Sequence, residues 1–139
     1  MIILDTNVLS ETMLPTPSER VLSWLASQPV EEVCTTAITK AEVLAGIARM
    51  PEGKRRRELQ SRADAMFQQD FDRGILPFDA AAAEHYAEMM AARYARGRLV
   101  GELDVEIAAI ARLHGAVLAT RNTSDFEDCG IRLVNPWEA

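Results

Sequence analysis

The sequence predicts an α/β fold in which helices cover a mainly parallel sheet of about five short strands. Short apolar runs alternate along the chain with longer segments whose apolar residues recur at helical spacing. Such alternation is typical of strand–helix–strand units, which place consecutive strands parallel in one sheet. The chain has 139 residues and carries no repeat or linker-like segment, so we expect residues 1–139 to form a single domain.

Five short segments have the composition of strands. They combine β-branched and other apolar residues over two to four positions. In chain order they are residues 2–4, 33–36, 75–76, 116–118 and 131–134.

Five helices are predicted between these strands from apolar residues at spacings of three and four. Each follows a residue that is common before or at a helix start, namely Pro17, Thr39, Pro51, Asp79 or Asp104. Their apolar faces are Val21, Trp24 and Leu25; Val43, Leu44 and Ile47; Leu59, Ala63, Met66 and Phe67; Ala82, Tyr86, Met89, Met90 and Tyr94; and Ile107, Ala108, Ile110 and Ala111. We expect the face that ends at Tyr94 to lie in the core or in a dimer interface rather than to stack on bases.

Composition excludes several classes of protein. Hydrophobic residues make up 48% and charged residues 26% of the chain, which excludes disordered, collagen-like and membrane-spanning proteins. No apolar run approaches the ~18 residues of a transmembrane helix, and no basic segment of a signal peptide opens the chain, so we expect a cytoplasmic protein. Cys34 and Cys129 stand alone, which predicts two reduced thiols rather than a disulfide or a zinc site.

The charges are unevenly distributed along the chain. The net charge of −6 by itself argues against a nucleic-acid partner. Residues 49–62 and 93–98, however, together carry a net charge of +7, which leaves −13 for the rest of the chain. The sequence therefore combines a basic patch with acids that are candidates for a metal site.

Acidic or amide side chains follow predicted strands or open predicted helices at four places. Asp5 comes directly after the first strand, Glu42 and Asp104 lie near helix starts, and a turn-rich stretch after the fourth strand contains Asn122 and Asp125. A parallel sheet gathers such positions at one edge, and carboxylates that converge there need a cation. Oxygen ligands favour Mg²⁺ or Mn²⁺, so the pattern indicates a metal site suited to phosphate chemistry.

Each acid also has a purely structural explanation. Asp5 can cap the helix that follows it. The spacing of Thr39 and Glu42 fits a capping box ahead of an apolar pair, and Asp104 complements the positive end of a helix dipole. The hypothesis of a metal site therefore depends on the four places being brought together.

Five short motifs occur in order along the chain. They are Leu4-Asp5-Thr6-Asn7-Val8, Ile38-Thr39-x-Ala41-Glu42, Asp104-x-x-Ile107-Ala108-Ala109-Ile110-Ala111, Ala119-Thr120-Arg121-Asn122 and Asn135-Pro136-Trp137. In this combination the chain resembles the PIN domain, specifically the VapC toxins of bacterial type II toxin–antitoxin modules. Ile75-Leu76-Pro77-Phe78-Asp79 and the terminal Asn-Pro-Trp are similar to FitB-type members. The resemblance covers essentially the whole chain and implies a PIN-like α/β/α sandwich.

The resemblance implies a metal-dependent endoribonuclease that forms a homodimer. It further implies a VapB-type antitoxin that inhibits the enzyme, operator DNA bound only through the toxin–antitoxin complex, and no membrane association. The RNA substrate is transfer RNA by family analogy. Water activated by Mg²⁺, or by Mn²⁺, attacks the phosphate in the family mechanism, so neither His85 nor His114 is expected to be catalytic.

Carried over position by position, the resemblance assigns the metal ligands to Asp5, Glu42 and Asp104. Thr6 is expected to support Asp5 through a hydroxyl hydrogen bond. Many relatives place a fourth acid directly after Thr-Arg, where this chain has Asn122. Asn122 and Asp125 therefore both stay candidates for the fourth position of the site.

Two further questions stay open at the level of sequence. The run Lys54, Arg55, Arg56 and Arg57 is the solvated face of a helix, a contact for RNA phosphates, or a contact for the antitoxin. The alternative function is a catalytically weak PIN-fold subunit that acts with its antitoxin as a DNA-binding repressor. A haloacid-dehalogenase-like phosphatase is disfavoured, because its Asp-x-Asp motif needs an acid where Asn7 stands.

Overall fold

The computed structural model describes residues 1–71, 73–98 and 101–139. The described residues form a five-stranded sheet whose strands are all parallel and lie in the order β3-β2-β1-β4-β5. The strands are β1 (Ile2–Leu4), β2 (Val33–Thr36), β3 (Ile75–Leu76), β4 (Val117–Ala119) and β5 (Arg132–Val134). The predicted fold class is confirmed, with β4 and β5 each beginning one residue later than predicted.

Six α-helices connect these strands within the described residues. They are α1 (Thr6–Thr12), α2 (Glu19–Ala26), α3 (Ala37–Ala48), α4 (Lys54–Gln69), α5 (Ala80–Ala95) and α6 (Glu102–His114). A short 3-10 helix, Val30–Glu32, precedes β2. A second one, Thr123–Phe126, follows β4 and is called the post-β4 turn below.

The sheet is buried on both faces, which makes a three-layer α/β/α sandwich. Ile3 of β1 and Leu118 of β4 pack with α5 and α6 on one face. Their neighbours Leu4 and Ala119 pack with α1, α2, α3 and α4 on the other. Successive strand residues point to opposite faces, so a strand covered on both sides is a continuous apolar run rather than an alternating one.

The buried face of α5 differs from the predicted one. Ala82 and Met89 are buried as expected, but Tyr94 is 75% exposed and is not a core residue. Arg93 takes the buried position one turn after Met89 and is only 2% exposed. Sequence patterns assign charged residues to the solvent side of a helix, so the sequence places Arg93 in the basic patch of residues 49–62 and 93–98.

The prediction of two reduced thiols is confirmed. Cys34 and Cys129 are both buried free thiols, and burial raises the pKa of Cys34 to about 11.

Across the described residues, no helix combines the length and the apolar character that a membrane crossing requires.

Candidate functional site

The predicted acidic edge lies at a switch point in the sheet. From β1 the chain builds β2 and β3 outward on one side and then crosses to build β4 and β5 on the other. A crevice opens at the carboxyl ends of the two strands that flank such a point, here β1 and β4. Asp5 follows β1 and donates its backbone N–H to the carbonyl of Ala119 at 2.9 Å, while Thr120 follows β4.

Asp5 is a buried carboxylate whose oxygens are both engaged. It caps α1, accepting from the backbone N–H of Thr6 at 2.8 Å, and it is 4% exposed. Its Oδ2 accepts from the hydroxyl of Thr120 at 2.7 Å and from Nδ2 of Asn7 at 3.2 Å. Burial raises the pKa of Asp5, the charge of Glu42 raises it further, and these hydrogen bonds oppose the rise.

The hydroxyl support expected from Thr6 goes to a different acid. The Thr6 hydroxyl donates to Oε1 of Glu42 at 2.8 Å and lies 3.1 Å from the hydroxyl of Thr39. Asp5 receives its hydroxyl hydrogen bond from Thr120 instead. The expectation for Thr6 is thus corrected, since α1 presents its first hydroxyl to α3 rather than back to the preceding residue.

The capping box that was the structural alternative for Thr39 and Glu42 does not form. Thr36, at the end of β2, is the N-cap of α3, and its side chain accepts from the backbone N–H of Thr39 at 3.1 Å. The helix therefore begins at Ala37, before Thr39. Glu42 lies in the second turn of α3. Its side chain takes no part in capping the helix and is free to face the site.

Asp104 lies within the first turn of α6 rather than ahead of it. Burial is the main cause that raises the pKa of Asp104, and the charges of Asp5 and Asp125 add to the rise. The guanidinium of Arg93 opposes it. Two other acids that the sequence analysis singled out, Asp5 and Asp125, thus act electrostatically on Asp104 from separate segments of the chain.

The two candidates for the fourth position differ in placement. Asn122 is exposed; its backbone N–H donates to the Thr120 hydroxyl at 3.1 Å, and its carbonyl accepts from the Asp125 N–H at 3.0 Å. Asp125 is partly buried in the post-β4 turn and close enough to Asp104 to raise that residue's pKa. Asp125 is therefore the candidate whose charge acts on Asp104, while Asn122 is uncharged and more exposed.

The chemistry of this donor set fits a magnesium-like ion. Carboxylate oxygens are the preferred ligands, and their mutual repulsion is relieved by a cation. The described residues contain no group of three or more His, Cys, Asp or Glu side chains placed to hold a metal ion together. Mg²⁺ does not require one, because it keeps several waters and is commonly held through one or two carboxylates.

Sequence analysis missed one acid near the site. Glu106, one turn after Glu102 on α6, is partly buried, and burial together with the charges of Glu102 and Glu42 raises its pKa. The sequence signal for Glu106 is its spacing: Glu102 and Glu106 are four residues apart, so they share one face of the helix, and Asp104 lies between them.

The basic run at the start of α4 does not present a single face. Arg55 lines a groove between α1, α3 and α4 that also includes Glu42. Arg56 and Arg57 line a different depression. Lys54 forms an exposed ion pair with an acid one turn along the helix. Arg55 therefore shares a groove with a predicted site acid.

The second basic window is divided between the interior and the surface. Arg93 and Arg98 both pair with Oδ1 of Asp128, at 3.2 and 3.3 Å, and Arg93 is buried. Arg96 is exposed and Arg98 is partly exposed, so the basic patch inferred from the sequence is corrected for Arg93.

The terminal Asn-Pro-Trp motif packs against the loop that follows β4. The guanidinium of Arg121 lies 4.9 Å from the ring centroid of Trp137. Nδ2 of Asn135 donates to the carbonyl of Arg121 at 3.4 Å. The motif thereby steadies the segment that leads from Thr120 into the post-β4 turn.

These features define an α/β protein with a cluster of buried and partly buried carboxylates at the switch point of a parallel sheet. A sequence profile described as the PIN domain matches residues 2–130. The chain therefore belongs to the PIN-domain family.

Its relatives within the family are VapC and FitB toxins. It is 44% identical over 138 residues, 99% of each chain, to "VapC ribonuclease Y4jK" of Sinorhizobium fredii. It is 31% identical over 136 residues, 96% of each chain, to "tRNA(fMet)-specific endonuclease VapC" of Shigella flexneri.

Solved structures agree with this placement. The crystal structure of FitAcB from Neisseria gonorrhoeae matches with a TM-score of 0.93 and 39% identity, covering 100% of both chains. A structure of FitAB bound to an IR36 DNA fragment matches with a TM-score of 0.91 and the same identity, covering 99% of this chain and 96% of that one.

Proposed function

We propose that the chain is a metal-dependent endoribonuclease toxin of a type II toxin–antitoxin module, which hydrolyses phosphodiester bonds of RNA with Mg²⁺ or Mn²⁺. The observation that carries the proposal is the electrostatic coupling of Asp5, Glu42 and Asp104 at the switch point of a PIN fold. The name of the Sinorhizobium relative, a VapC ribonuclease, supports the same class of reaction.

The side chains around the crevice fix the acids before substrate arrives. Asp5 and Asp104 are the proposed direct ligands of the divalent ion, and Glu42 is proposed to hold it through one of its water molecules. Thr120 and the Thr6 backbone hold the Asp5 carboxylate, and the Thr6 hydroxyl holds Glu42. A divalent ion bound there supplies Lewis acidity to the scissile phosphate and lowers the pKa of a water molecule. Because water is the nucleophile, no side chain has to form a covalent intermediate.

We infer that the substrate is a structured RNA of the transfer RNA class. The Shigella relative, at 31% identity, is named for its action on tRNA(fMet). The groove shared by Arg55 and Glu42 offers a cation for a backbone phosphate beside the acids.

The proposed partners are a VapB-type antitoxin and a second copy of the chain in a homodimer. The matched FitAcB and FitAB structures support the first, and the FitAB structure with DNA supports operator binding through the antitoxin complex. A cytoplasmic location stays a prediction.

Cleavage of RNA by the purified chain tests the proposal. Total transfer RNA is incubated with the wild type in Mg²⁺, in Mn²⁺ and in chelator, with Asp5→Asn as the control for contaminating nuclease. We expect cleavage that requires metal and is lost in Asp5→Asn. Metal-independent cleavage, or equal activity in both proteins, would contradict the proposal.

One observation favours the second candidate, a catalytically weak subunit of a repressor. Asn122, a neutral amide, stands where many relatives have an acid. If the wild type cleaves no RNA in either metal, while its complex with the antitoxin binds operator DNA, this second function replaces the first.

A further inference from the structure

Arg93 is a charged residue in the interior of the protein. It lies near the end of α5 and is 2% exposed. Burying a guanidinium is costly unless its donors are matched by acceptors with good geometry. The groups around Arg93 therefore indicate which parts of the protein it holds in place.

Three contacts of Arg93 lie in or just after the post-β4 turn. Its Nη2 donates to the backbone carbonyl of Asp125. The same nitrogen lies 3.2 Å from Oδ1 of Asp128 and 3.3 Å from Sγ of Cys129. One buried guanidinium thus fixes the segment that carries Asp125 to helix α5.

The other side of the guanidinium faces the start of α6. Gly101 precedes that helix with a φ of +85°, and a Cβ placed on it would lie 3.3 Å from Nη1 of Arg93 and 3.3 Å from Oδ2 of Asp104. The two charged groups are therefore no further apart than twice that distance. Glycine is required here both for the left-handed backbone and for the space between them.

We propose that Arg93 is a positioning residue of the acidic site, which sets Asp104 and Asp125 relative to each other by joining the start of α6 to the post-β4 turn. It acts through these two acids and does not contact substrate. The planar guanidinium suits this task, because it presents several donors in fixed directions, whereas a lysine ammonium offers one point charge. The effect of this positioning on metal binding and catalysis rests on the proposed function. The role of Arg93 in holding the two segments together is independent of that function.

Arg98 provides a matched control, since it pairs with the same Oδ1 of Asp128 at 3.3 Å and is partly exposed. The variants are Arg93→Met, Arg93→Lys and Arg98→Met, together with Asp128→Asn, which removes the negative charge shared by the two arginines but keeps an oxygen that accepts hydrogen bonds. Gly101→Ala keeps the guanidinium and adds a Cβ between it and Asp104.

The first readout is amide hydrogen exchange without metal. The N–H of Val105 bonds to the carbonyl of Gly101, and the N–H of Asp125 bonds to the carbonyl of Asn122. We expect both amides to exchange about tenfold faster in Arg93→Met and Arg93→Lys and to be unchanged in Arg98→Met. Equal exchange in the Arg93 variants and the wild type, or equal acceleration in Arg98→Met, would overturn the proposal.

The second readout is the affinity for Mn²⁺ alone, measured by calorimetry. Arg93→Met, Arg93→Lys and Gly101→Ala should each weaken binding about 10- to 100-fold, the range for residues that orient metal ligands, while Arg98→Met and Asp128→Asn should stay near the wild type. Tighter binding in Arg93→Met with wild-type affinity in Arg93→Lys would overturn the proposal, because it would reduce Arg93 to a repelling charge.

The two readouts distinguish a failure of the proposed function from a failure of the proposal for Arg93. If the wild type itself binds no Mn²⁺, the proposed function is wrong, and the exchange experiment still decides on Arg93. If Arg93→Met does not fold, Arg93→Lys and Gly101→Ala carry both measurements.

Discussion

Among the individual residues, Asp5 and Asp104 differ most in how their charge is compensated. Asp5 is surrounded by donors from Thr6, Asn7 and Thr120. For Asp104, the opposing influence on its pKa comes from Arg93, which lies beyond Gly101. Hydrogen bonds therefore oppose the rise in the pKa of Asp5, while the charge of Arg93 opposes the rise in the pKa of Asp104.

Asp104→Asn should change how stability depends on pH. Its pKa in the folded protein lies above the ordinary value of 3.8, so the protonated form favours folding. That contribution is complete below the ordinary pKa and is lost as the pH rises through the raised one. In chelator, the free energy of unfolding of Asp104→Asn relative to the wild type should therefore increase between about pH 4 and pH 7.

Urea denaturation at several pH values measures this difference. Glu84→Gln is the control, because Glu84 is an exposed acid on a different helix, α5; this variant should show no such trend. A difference that falls with rising pH would mean that Asp104 gains more from its surroundings than it loses by burial.

Alanine variants decide between Asn122 and Asp125. We expect Asn122→Ala and Asp125→Ala each to keep measurable RNA cleavage, reduced by at most about 10- to 100-fold, because each acts around a metal water rather than as an essential ligand. Asp5→Ala should be inactive in the same kinetic assay. If Asp125→Ala is as inactive as Asp5→Ala, Asp125 is a direct ligand.

At the level of elements, the start of α3 is set by the strand before it. Thr36 ends β2 and caps α3, so one residue joins the edge of the sheet to the helix that carries Glu42. Thr36→Ala should lower the free energy of unfolding by about 1 kcal/mol, the usual cost of losing such a cap. Thr36→Ser keeps a hydroxyl and should recover most of the loss in denaturant titrations. If the serine variant is as unstable as the alanine variant, the buried methyl group and not the cap is responsible.

The basic run on α4 should act through one residue rather than four. Arg55 shares a groove with Glu42, and Arg57 does not, so the two form a matched pair on one helix. Arg55→Gln should weaken RNA binding and reduce the slope of log affinity against log salt by about 0.7, the value for one lost phosphate contact in single-stranded RNA. Arg57→Gln should leave that slope unchanged.

Fluorescence titrations at several salt concentrations measure both variants. If both slopes are unchanged while antitoxin binding falls, the run contacts the antitoxin. If neither interaction changes, it is a solvated helix face.

For the molecule as a whole, a divalent ion should stabilise the fold. A ligand that binds only the native state adds RT ln(1 + [L]/Kd) to the free energy of unfolding, about 2.7 kcal/mol at one hundred times Kd. The Tm of the wild type should therefore rise with Mn²⁺, and Asp104→Asn should lose this response. A Tm that is independent of Mn²⁺ in both proteins would contradict a shared metal site.

Much of the fold was predictable because its signals are local. The runs that become β1, β2 and β3 have the predicted bounds, and α5 begins directly after its predicted cap, Asp79. The order of the motifs also indicated the family without any contact being known. Apolar runs and helical periodicity depend on neighbours a few positions away, so the sequence displays them directly.

The arrangement of the site was decided by the tertiary structure. The Thr6 hydroxyl bonds to Glu42 36 positions away, Thr120 bonds to Asp5 across 115 positions, and Arg93 reaches Asp125 across 32. By itself the sequence determined the sheet, five of the six helices in the described residues and the acids that follow strands or lie near helix starts; α1 was not predicted. Which hydroxyl supports which carboxylate, and that an arginine is buried behind them, depended on how those elements pack, because a hydrogen bond between distant segments leaves no spacing pattern in the chain.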